Sequence, residues 1–106
     1  MHKAFSIFLG FILLVSIESC GKRPFACFET SVDEADIHVN QPVKFFALCS
    51  SNADDFYWEF YDNEDSTEFG YSVTKTFKDT GLVNVFLLVS KGNKTSSTER
   101  KIKVLP

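Results

Sequence analysis

The side chains that could do chemistry in this 106-residue chain are acids, aromatics and cysteines rather than a catalytic set. Apart from His2 near the start, the chain has a single histidine, His38. Nucleophilic catalysis by serine or cysteine needs a base held beside the nucleophile, and one histidine in an expected edge segment does not provide it. Paired carboxylates for glycoside hydrolysis need a cleft that a domain of this size rarely builds. We therefore expect no enzyme activity.

Acidic side chains concentrate on both sides of the aromatic stretch at 56–63. They are Asp54, Asp55, Asp62, Glu64, Asp65 and Glu68. Calcium binds about six to eight oxygen ligands supplied by loops of this kind. The candidate calcium ligands are the aspartates Asp54, Asp55, Asp62 and Asp65. A solvated acidic loop end accounts for the same residues, and we favour it because their spacing matches no EF-hand pattern. We accordingly predict no metal and no cofactor.

Some aromatic side chains are left over once a core face has been assigned. They are Tyr57, Tyr61, Phe69 and Tyr71. Exposed aromatics are enriched in binding surfaces, so these four could form a flat platform that stacks a sugar ring or contacts a partner. Cross-strand aromatic pairs that only stabilise a sheet, each by less than about 1 kcal/mol, explain the same residues, and we favour that explanation.

The first residues resemble an export signal rather than part of a folded domain. Met1–Lys3 is a short basic start, and the apolar run from Ala4 to Ile17 follows it. The run is shorter than the roughly 20 apolar residues of a membrane-spanning helix, but it fits the core of a signal peptide. A buried helix is the less favoured alternative, because a helix that is apolar all round has little to pack against in so small a protein.

The end of this leader, Ile17-Glu18-Ser19-Cys20-Gly21, resembles the lipobox of bacterial lipoproteins. Ile17, Ser19 and Cys20 match that pattern, whereas Glu18 stands where a small residue is usual. The resemblance implies cleavage before Cys20 and lipid on Cys20, whose several acyl chains would anchor the protein stably in a membrane. Because Gly21 rather than aspartate follows, it also implies the outer membrane. We divide the chain into a signal peptide at 1–19, a tether at 20–23 and a domain at 24–106.

The two remaining cysteines, Cys27 and Cys49, form an even pair in an expected exported protein, where disulfides persist. A bond between them would close a loop of about 20 residues and would stabilise the fold by about 3 kcal/mol. Two buried free thiols are the alternative, because free cysteines are often buried.

Apolar residues alternate along most of the chain after residue 24, as they do in β-strands. The organising stretch carries Phe56, Trp58 and Phe60 on one face. The other expected strands are 25–29, 43–49, 71–77, 82–90 and 95–104, with a short edge piece within 31–40 and a loop at 62–70. Short strands at even spacing, separated by turn residues, predict an all-β sandwich of about seven antiparallel strands.

These strands resemble the PKD domain, an immunoglobulin-like sandwich with a Trp-Asp-Phe-Gly-Asp-Gly turn and a Gly-x-Tyr-x-Val strand. Trp58, Phe60, Asp62, Gly81 and Val85 carry the resemblance, which covers roughly residues 24–105. Both turn glycines of the family and the aromatic residue of its later strand are replaced in this chain. The resemblance implies a spacer or binding module of a bacterial surface protein.

These observations together predict a lipid-anchored module of the cell envelope that binds a protein or a glycan. The alternatives are a purely structural envelope lipoprotein and a small inhibitor or immunity-type protein. The formal net charge is −3, which argues against nucleic acid as a partner. The same acidic charge argues against an anionic lipid surface as a partner, so the expected contact with the membrane is the lipid on Cys20.

Overall fold

The computed structural model describes residues 22–62 and 65–106, which form two facing β-sheets. The strands are β1 Glu29–Thr30, β2 Pro42–Phe46, β3 Asp55–Tyr61, β4 Ser66–Phe69, β5 Ser72–Thr76, β6 Gly81–Lys91 and β7 Lys94–Val104, with a 3-10 turn at Glu34–Asp36. The expected signal peptide at 1–19 and the lipidation site Cys20 lie outside the described residues. Within them, no helix has the length and apolar character needed to cross a membrane.

Both sheets are antiparallel throughout, and together they make a sandwich. One sheet has three strands in the order β1-β2-β5, and the other has four in the order β4-β3-β6-β7. The short segment around His38 leaves the first sheet and forms a parallel bridge with Leu105, just past β7. The prediction of an all-β sandwich with about seven antiparallel strands is confirmed.

Trp58 of β3 lies at the centre of the core and is 0% exposed. Its ring contacts Phe28 edge-on at a centroid distance of 5.4 Å and stacks on Phe60 at 6.3 Å. Phe45, from the opposite sheet, contacts the same indole at 6.2 Å. Aromatic rings bury large areas and prefer such edge-to-face geometry, so this cluster holds the two sheets together.

The alternating pattern of β6 places one set of its side chains inward and the other outward. Its inward residues are Val83, Val85, Leu87 and Val89, all buried. Its outward residues include Phe86 and Leu88, which are half-buried on the outer surface of the four-stranded sheet. β6 is paired on both sides, with β3 and with β7, as expected for a central strand.

The indole of Trp58 also fixes the point where the chain crosses between sheets. Its Nε1–H donates to the carbonyl oxygen of Gly70 at 2.8 Å. Gly70 has a φ of 131°, a conformation that side-chain-bearing residues rarely adopt. Immediately before it β4 pairs with β3, and immediately after it the Tyr71 carbonyl accepts from Ala47 N–H in the other sheet at 2.9 Å.

The predicted loop at 62–70 is wrong in its second half, because Ser66–Phe69 forms the edge strand β4. Its mostly polar side chains lie at the rim of the sandwich, so no apolar alternation marks it in the sequence. The first strand is also shorter than predicted, at Glu29–Thr30 instead of 25–29. In that segment the buried side chains are Ala26 and Phe28, whereas Phe25 is 58% exposed.

A disulfide joins Cys27 to Cys49, with 5.2 Å between their Cα atoms. It ties the segment before β1 to the turn after β2. Ser50 reinforces the same connection, since its Oγ accepts from Cys27 N–H at 2.9 Å and donates to Cys27 O at 2.6 Å. The predicted pairing is therefore confirmed, and the alternative of two free thiols is excluded.

Candidate functional site

The outer surface of the four-stranded sheet carries most of the unassigned aromatic side chains, and we call it the outer face. Its residues come from alternate positions of β4, β3, β6 and β7, and the strand register arranges them in rows. The first row is Phe69, Tyr57, Leu88 and Ser97; the second is Thr67, Glu59, Phe86 and Glu99; the third is Tyr61, Asn84 and Lys101. Neighbouring strands lie about 4.8 Å apart, so each full row spans about 15 Å.

The first row provides a ring surface open to solvent. Tyr57 and Phe69 are directly opposite each other on β3 and β4, and their ring centroids lie 5.2 Å apart with an interplanar angle of 49°. Phe69 is 75% exposed, although it is a large apolar residue. Leu88 continues the row on the other side of Tyr57. These side chains form an apolar strip across three strands.

The second row places a carboxylate between two tyrosine hydroxyls. Tyr57 donates its hydroxyl hydrogen to Glu59 Oε2 at 2.7 Å. Tyr61 donates to the other carboxylate oxygen, Glu59 Oε1. All three residues belong to β3 and occur at every second position, so strand alternation alone puts them on the same side of the sheet. Glu59 thereby fixes the orientation of both rings.

These hydrogen bonds shift the ionisation of all three groups. The bond to Glu59 raises the pKa of Tyr61 to about 12, with desolvation and the charge of Glu59 acting in the same direction. The bond to Glu59 also raises the pKa of Tyr57. In return, the bonds from Tyr61 and then Tyr57 lower the pKa of Glu59. Around neutral pH the arrangement is a carboxylate with two neutral phenols.

Of the predicted aromatic platform, the structure brings Tyr57, Tyr61 and Phe69 together on the outer face and places Tyr71 elsewhere. Tyr71 follows the crossing at Gly70 and packs edge-on against Phe56 at a centroid distance of 5.4 Å. Phe56 itself packs against the core, so Tyr71 covers the rim of the sandwich. The favoured explanation, cross-strand aromatic pairing, describes the Tyr57–Phe69 contact, yet Phe69 remains exposed.

Sequence reasoning did not assign Phe86, Leu88 or Glu59 to the site. The alternation of β6 does put Phe86 and Leu88 on the side away from the core, which is the signal that could have found them. Their position beside Tyr57 and Glu59 depends on the pairing of β6 with β3, which the sequence does not specify. Glu59 stands between two tyrosines in the sequence, but its two hydrogen bonds become visible only in the structure.

The candidate calcium ligands do not converge. Asp54 and Asp55 lie at the start of β3, whereas Asp62 follows its end, so about seven residues at roughly 3.3 Å each separate the two groups. Asp54 lies 3.5 Å from Lys91 Nζ, and Asp62 lies 3.5 Å from Lys75 Nζ. Asp65 is exposed at the start of β4. Across residues 22–62 and 65–106, no group of three or more potential metal ligands comes together.

A shallow groove of about 430 Å³ lies beside β1 and the 3-10 turn, and its lining includes no residue of the outer face. The Arg100 guanidinium lines it but is already engaged: it pairs with Glu34, donates to the Phe28 carbonyl and stacks 3.8 Å from the centroid of the Phe28 ring. These contacts attach the 3-10 turn to β7. They give Arg100 a structural role and leave the outer face as the stronger candidate site.

Comparison with known proteins supports the fold and gives a direction for the function. No protein-family model and no curated protein matches the chain. Among solved structures, it is similar to one described as "Structural basis for the promiscuous specificity of the carbohydrate-binding modules from the beta-sandwich super family". The TM-score is 0.66 with 27% identity over 79% of this chain. The match covers 35% of the solved chain, so this protein spans about a third of its length.

This likeness shows a β-sandwich similar to carbohydrate-binding modules. It is compatible with the glycan partner expected from the sequence.

Proposed function

We propose that this protein is a carbohydrate-binding module that holds glycans on its outer face without altering them. The observation that carries the proposal is the exposed strip of Phe69 and Tyr57, placed beside hydrogen-bonding groups on a sandwich similar to carbohydrate-binding modules. Binding sites for small molecules combine apolar and aromatic surface with a few precisely placed polar groups. The outer face has both components.

The chemistry of a sugar ring matches these components. One side of a pyranose presents C–H groups that pack on an aromatic ring, whereas its hydroxyls project around the rim and need hydrogen-bond partners. Phe69 and Tyr57 supply the rings. Glu59 accepts hydrogen bonds, and Asn84 in the next row both donates and accepts them. The hydrogen bonds on the described part of this face join Glu59 to two tyrosines and activate no serine, threonine or cysteine, so we propose binding rather than catalysis.

The test compares two exposed phenylalanines on different parts of the molecule. Phe69→Ala removes a ring from the outer face, and Phe25→Ala removes one from the segment near the disulfide. An oligosaccharide identified on a glycan array should bind Phe69→Ala about tenfold more weakly, because an aromatic contact contributes up to about that factor. Phe25→Ala should bind as the wild type does, as measured by calorimetry. Equal affinity in both variants, or a silent array, would contradict the proposal.

We also propose that the module is of the PKD type and is carried on the cell envelope by lipid at Cys20. The residues of the PKD resemblance support the first part, since Trp58, Phe60 and Val85 are buried and Gly81 has a φ of 124°. Mass spectrometry of the mature N-terminus tests the second part. The expected result is a chain that begins at an acylated Cys20. In membrane fractionation, the variant Cys20→Ala should lose its association with the membrane. An unprocessed leader would overturn it.

A protein partner on the same face is the second candidate, which covers the inhibitor or immunity-type alternative. The observation in its favour is that two large apolar side chains of the outer face, Phe69 on β4 and Leu82 on β6, are exposed. Aromatic residues are enriched in the cores of protein interfaces. A silent glycan array together with one envelope protein that is retained by the wild type and lost by Phe69→Ala would favour this candidate.

A further inference from the structure

We infer that the outer face selects neutral glycans over acidic ones and that Glu59 is the residue that makes this selection. The inference rests on the proposed glycan-binding function and specifies its ligand class.

Glu59 lies in the middle of the surface that a glycan would cover. On its own strand it is flanked by Tyr57 and Tyr61, and across the sheet it faces Thr67 on β4 and Phe86 on β6. A ring stacked on Tyr57 and Phe69 therefore lies one row from Glu59, about 6.6 Å along β3, and its substituents on that side point towards this carboxylate. A ligand that uses the aromatic strip cannot avoid Glu59.

The tyrosine hydroxyls keep Glu59 ionised, and they do not exhaust its capacity to accept hydrogen bonds. Each carboxylate oxygen accepts from one tyrosine hydroxyl. An ionised carboxylate has about four acceptor positions, so about two remain available to a ligand. The hydroxyls of a neutral sugar can donate to these positions, whereas a uronate carboxylate has no proton to donate and carries the same charge.

The charges around Glu59 strengthen this preference. Glu99 lies in the same row beyond Phe86, close enough to contribute to the raised pKa of Tyr61. Asp55 occupies an outward position at the start of β3, on the other side of Tyr57. The lysines of the outer face, Lys101 and Lys103, lie towards the opposite end, opposite Asn84 and Leu82. The aromatic strip is therefore bordered by the carboxylates of Glu59 and Asp55, and the lysine nearest to its end, Lys91, is paired with Asp54.

The experiment uses pairs of oligosaccharides that differ in one functional group. The neutral probes are glucan, mannan and galactan oligosaccharides, and each is compared with the uronan of matching length in which the primary alcohol is oxidised to a carboxylate. Affinities are measured for the full chain, for Glu59→Gln and for Glu29→Gln. Glu29 is an exposed residue of β1 in the other sheet, so its variant makes the same change in net charge away from the outer face.

The expected result for the wild type is that at least one neutral probe binds more tightly than its uronan. In Glu59→Gln the ratio of uronan to neutral affinity should rise about fivefold, the size of the interaction between two unit charges about 4 Å apart in water. This rise should shrink when salt is added, because exposed charges are screened. Glu29→Gln should leave the ratio unchanged.

The outcomes separate this inference from the proposed function. Suppose that a neutral probe binds the wild type and binds Phe69→Ala more weakly, as proposed. If the wild type then binds the matching uronan equally well, the selection is overturned and the glycan-binding proposal stands. An equal rise of the ratio in Glu29→Gln and Glu59→Gln would overturn the role of Glu59, since net charge alone would then explain it. Absence of binding to every probe would overturn both.

Discussion

Adjacent residues of β3 have opposite roles, because strand alternation directs Trp58 into the core and Glu59 onto the outer face. The indole contacts rings from both sheets, and the carboxylate orients two tyrosines at the surface. One strand therefore carries both a fully buried core residue and a residue of the candidate site. A change at Trp58 should disturb stability, whereas a change at Glu59 should disturb the surface alone.

We predict that Trp58→Phe lowers the free energy of unfolding by about 2 kcal/mol, because it removes the hydrogen bond to Gly70 and leaves a cavity in a close-packed core. Urea unfolding followed by circular dichroism measures the loss. Phe25→Leu is the control: because the ring of Phe25 is exposed, its replacement should change the free energy of unfolding by less than about 0.5 kcal/mol. Equal stability of the wild type and Trp58→Phe would show that the indole is not part of the core.

The hydrogen bonds from Tyr57 and Tyr61 to Glu59 should be present over a defined range of pH. Glu59 has a lowered pKa, so its hydrogen bonds are present above its usual range and are lost as the pH falls through the lowered value. Tyr61 has a raised pKa, so its contribution is complete below its ordinary value of 10.0 and is lost as the pH rises through about 12. The outer face should therefore keep one geometry throughout the neutral range.

Phenolate absorbance during an alkaline titration tests this network. The chain has three tyrosines, and the background substitution Tyr71→Phe leaves Tyr57 and Tyr61 as the absorbing groups. We expect both to titrate above 10.0 in that background and to return towards 10.0 when Glu59→Gln is added. Titration curves that coincide with and without Glu59 would contradict the hydrogen bonds.

At the scale of elements, the sequence predicts those strands whose burial gives a period of two. β6 alternates valine and leucine with outward residues, and this alternation predicts the strand at 82–90. β4 is not predicted, because an edge strand at the rim needs no apolar alternation. The same holds for the candidate site: positions along one strand are predictable from the sequence, whereas contacts between strands are not. Alternation puts Tyr57 and Tyr61 on one side of β3, but the contact of Tyr57 with Phe69 and the position of Phe86 opposite Glu59 depend on register between strands.

The disulfide is the element-scale feature that the sequence predicts most directly, and its contribution can be measured. We expect the double variant Cys27→Ala/Cys49→Ala to have a free energy of unfolding about 3 kcal/mol lower than that of the wild type. The unfolded chain gains conformational entropy when the loop of 22 residues is no longer closed. Reduction of the wild-type protein should give the same loss, which separates the effect of the bond from that of the substitutions. Modification of Cys27 and Cys49 by a thiol reagent in the folded, unreduced protein would contradict the bond.

At the scale of the whole molecule, one four-stranded sheet performs both tasks: its inner side closes the core, and its outer side forms the candidate site. Its partner sheet supplies Phe45 and Val43 to the core, together with the disulfide-linked turn. Because the proposed binding uses only the outer side, ligand contacts need not disturb packing. We therefore expect glycan affinity and unfolding free energy to respond to different substitutions.

The described residues at 22–62 and 65–106 contain a contiguous buried core, which predicts that residues 22–106 fold without residues 1–21. A chain from which residues 1–21 have been removed should give the far-ultraviolet circular dichroism of a β-sandwich and a single cooperative unfolding transition. It should bind glycan with the affinity of the full chain, because Phe69, Tyr57 and Glu59 are all retained. The control is the same truncated chain with Trp58→Phe, which should unfold at a lower urea concentration. A truncated chain that aggregates or lacks a cooperative transition would instead support the alternative that the apolar run at 4–17 is a buried helix of the domain.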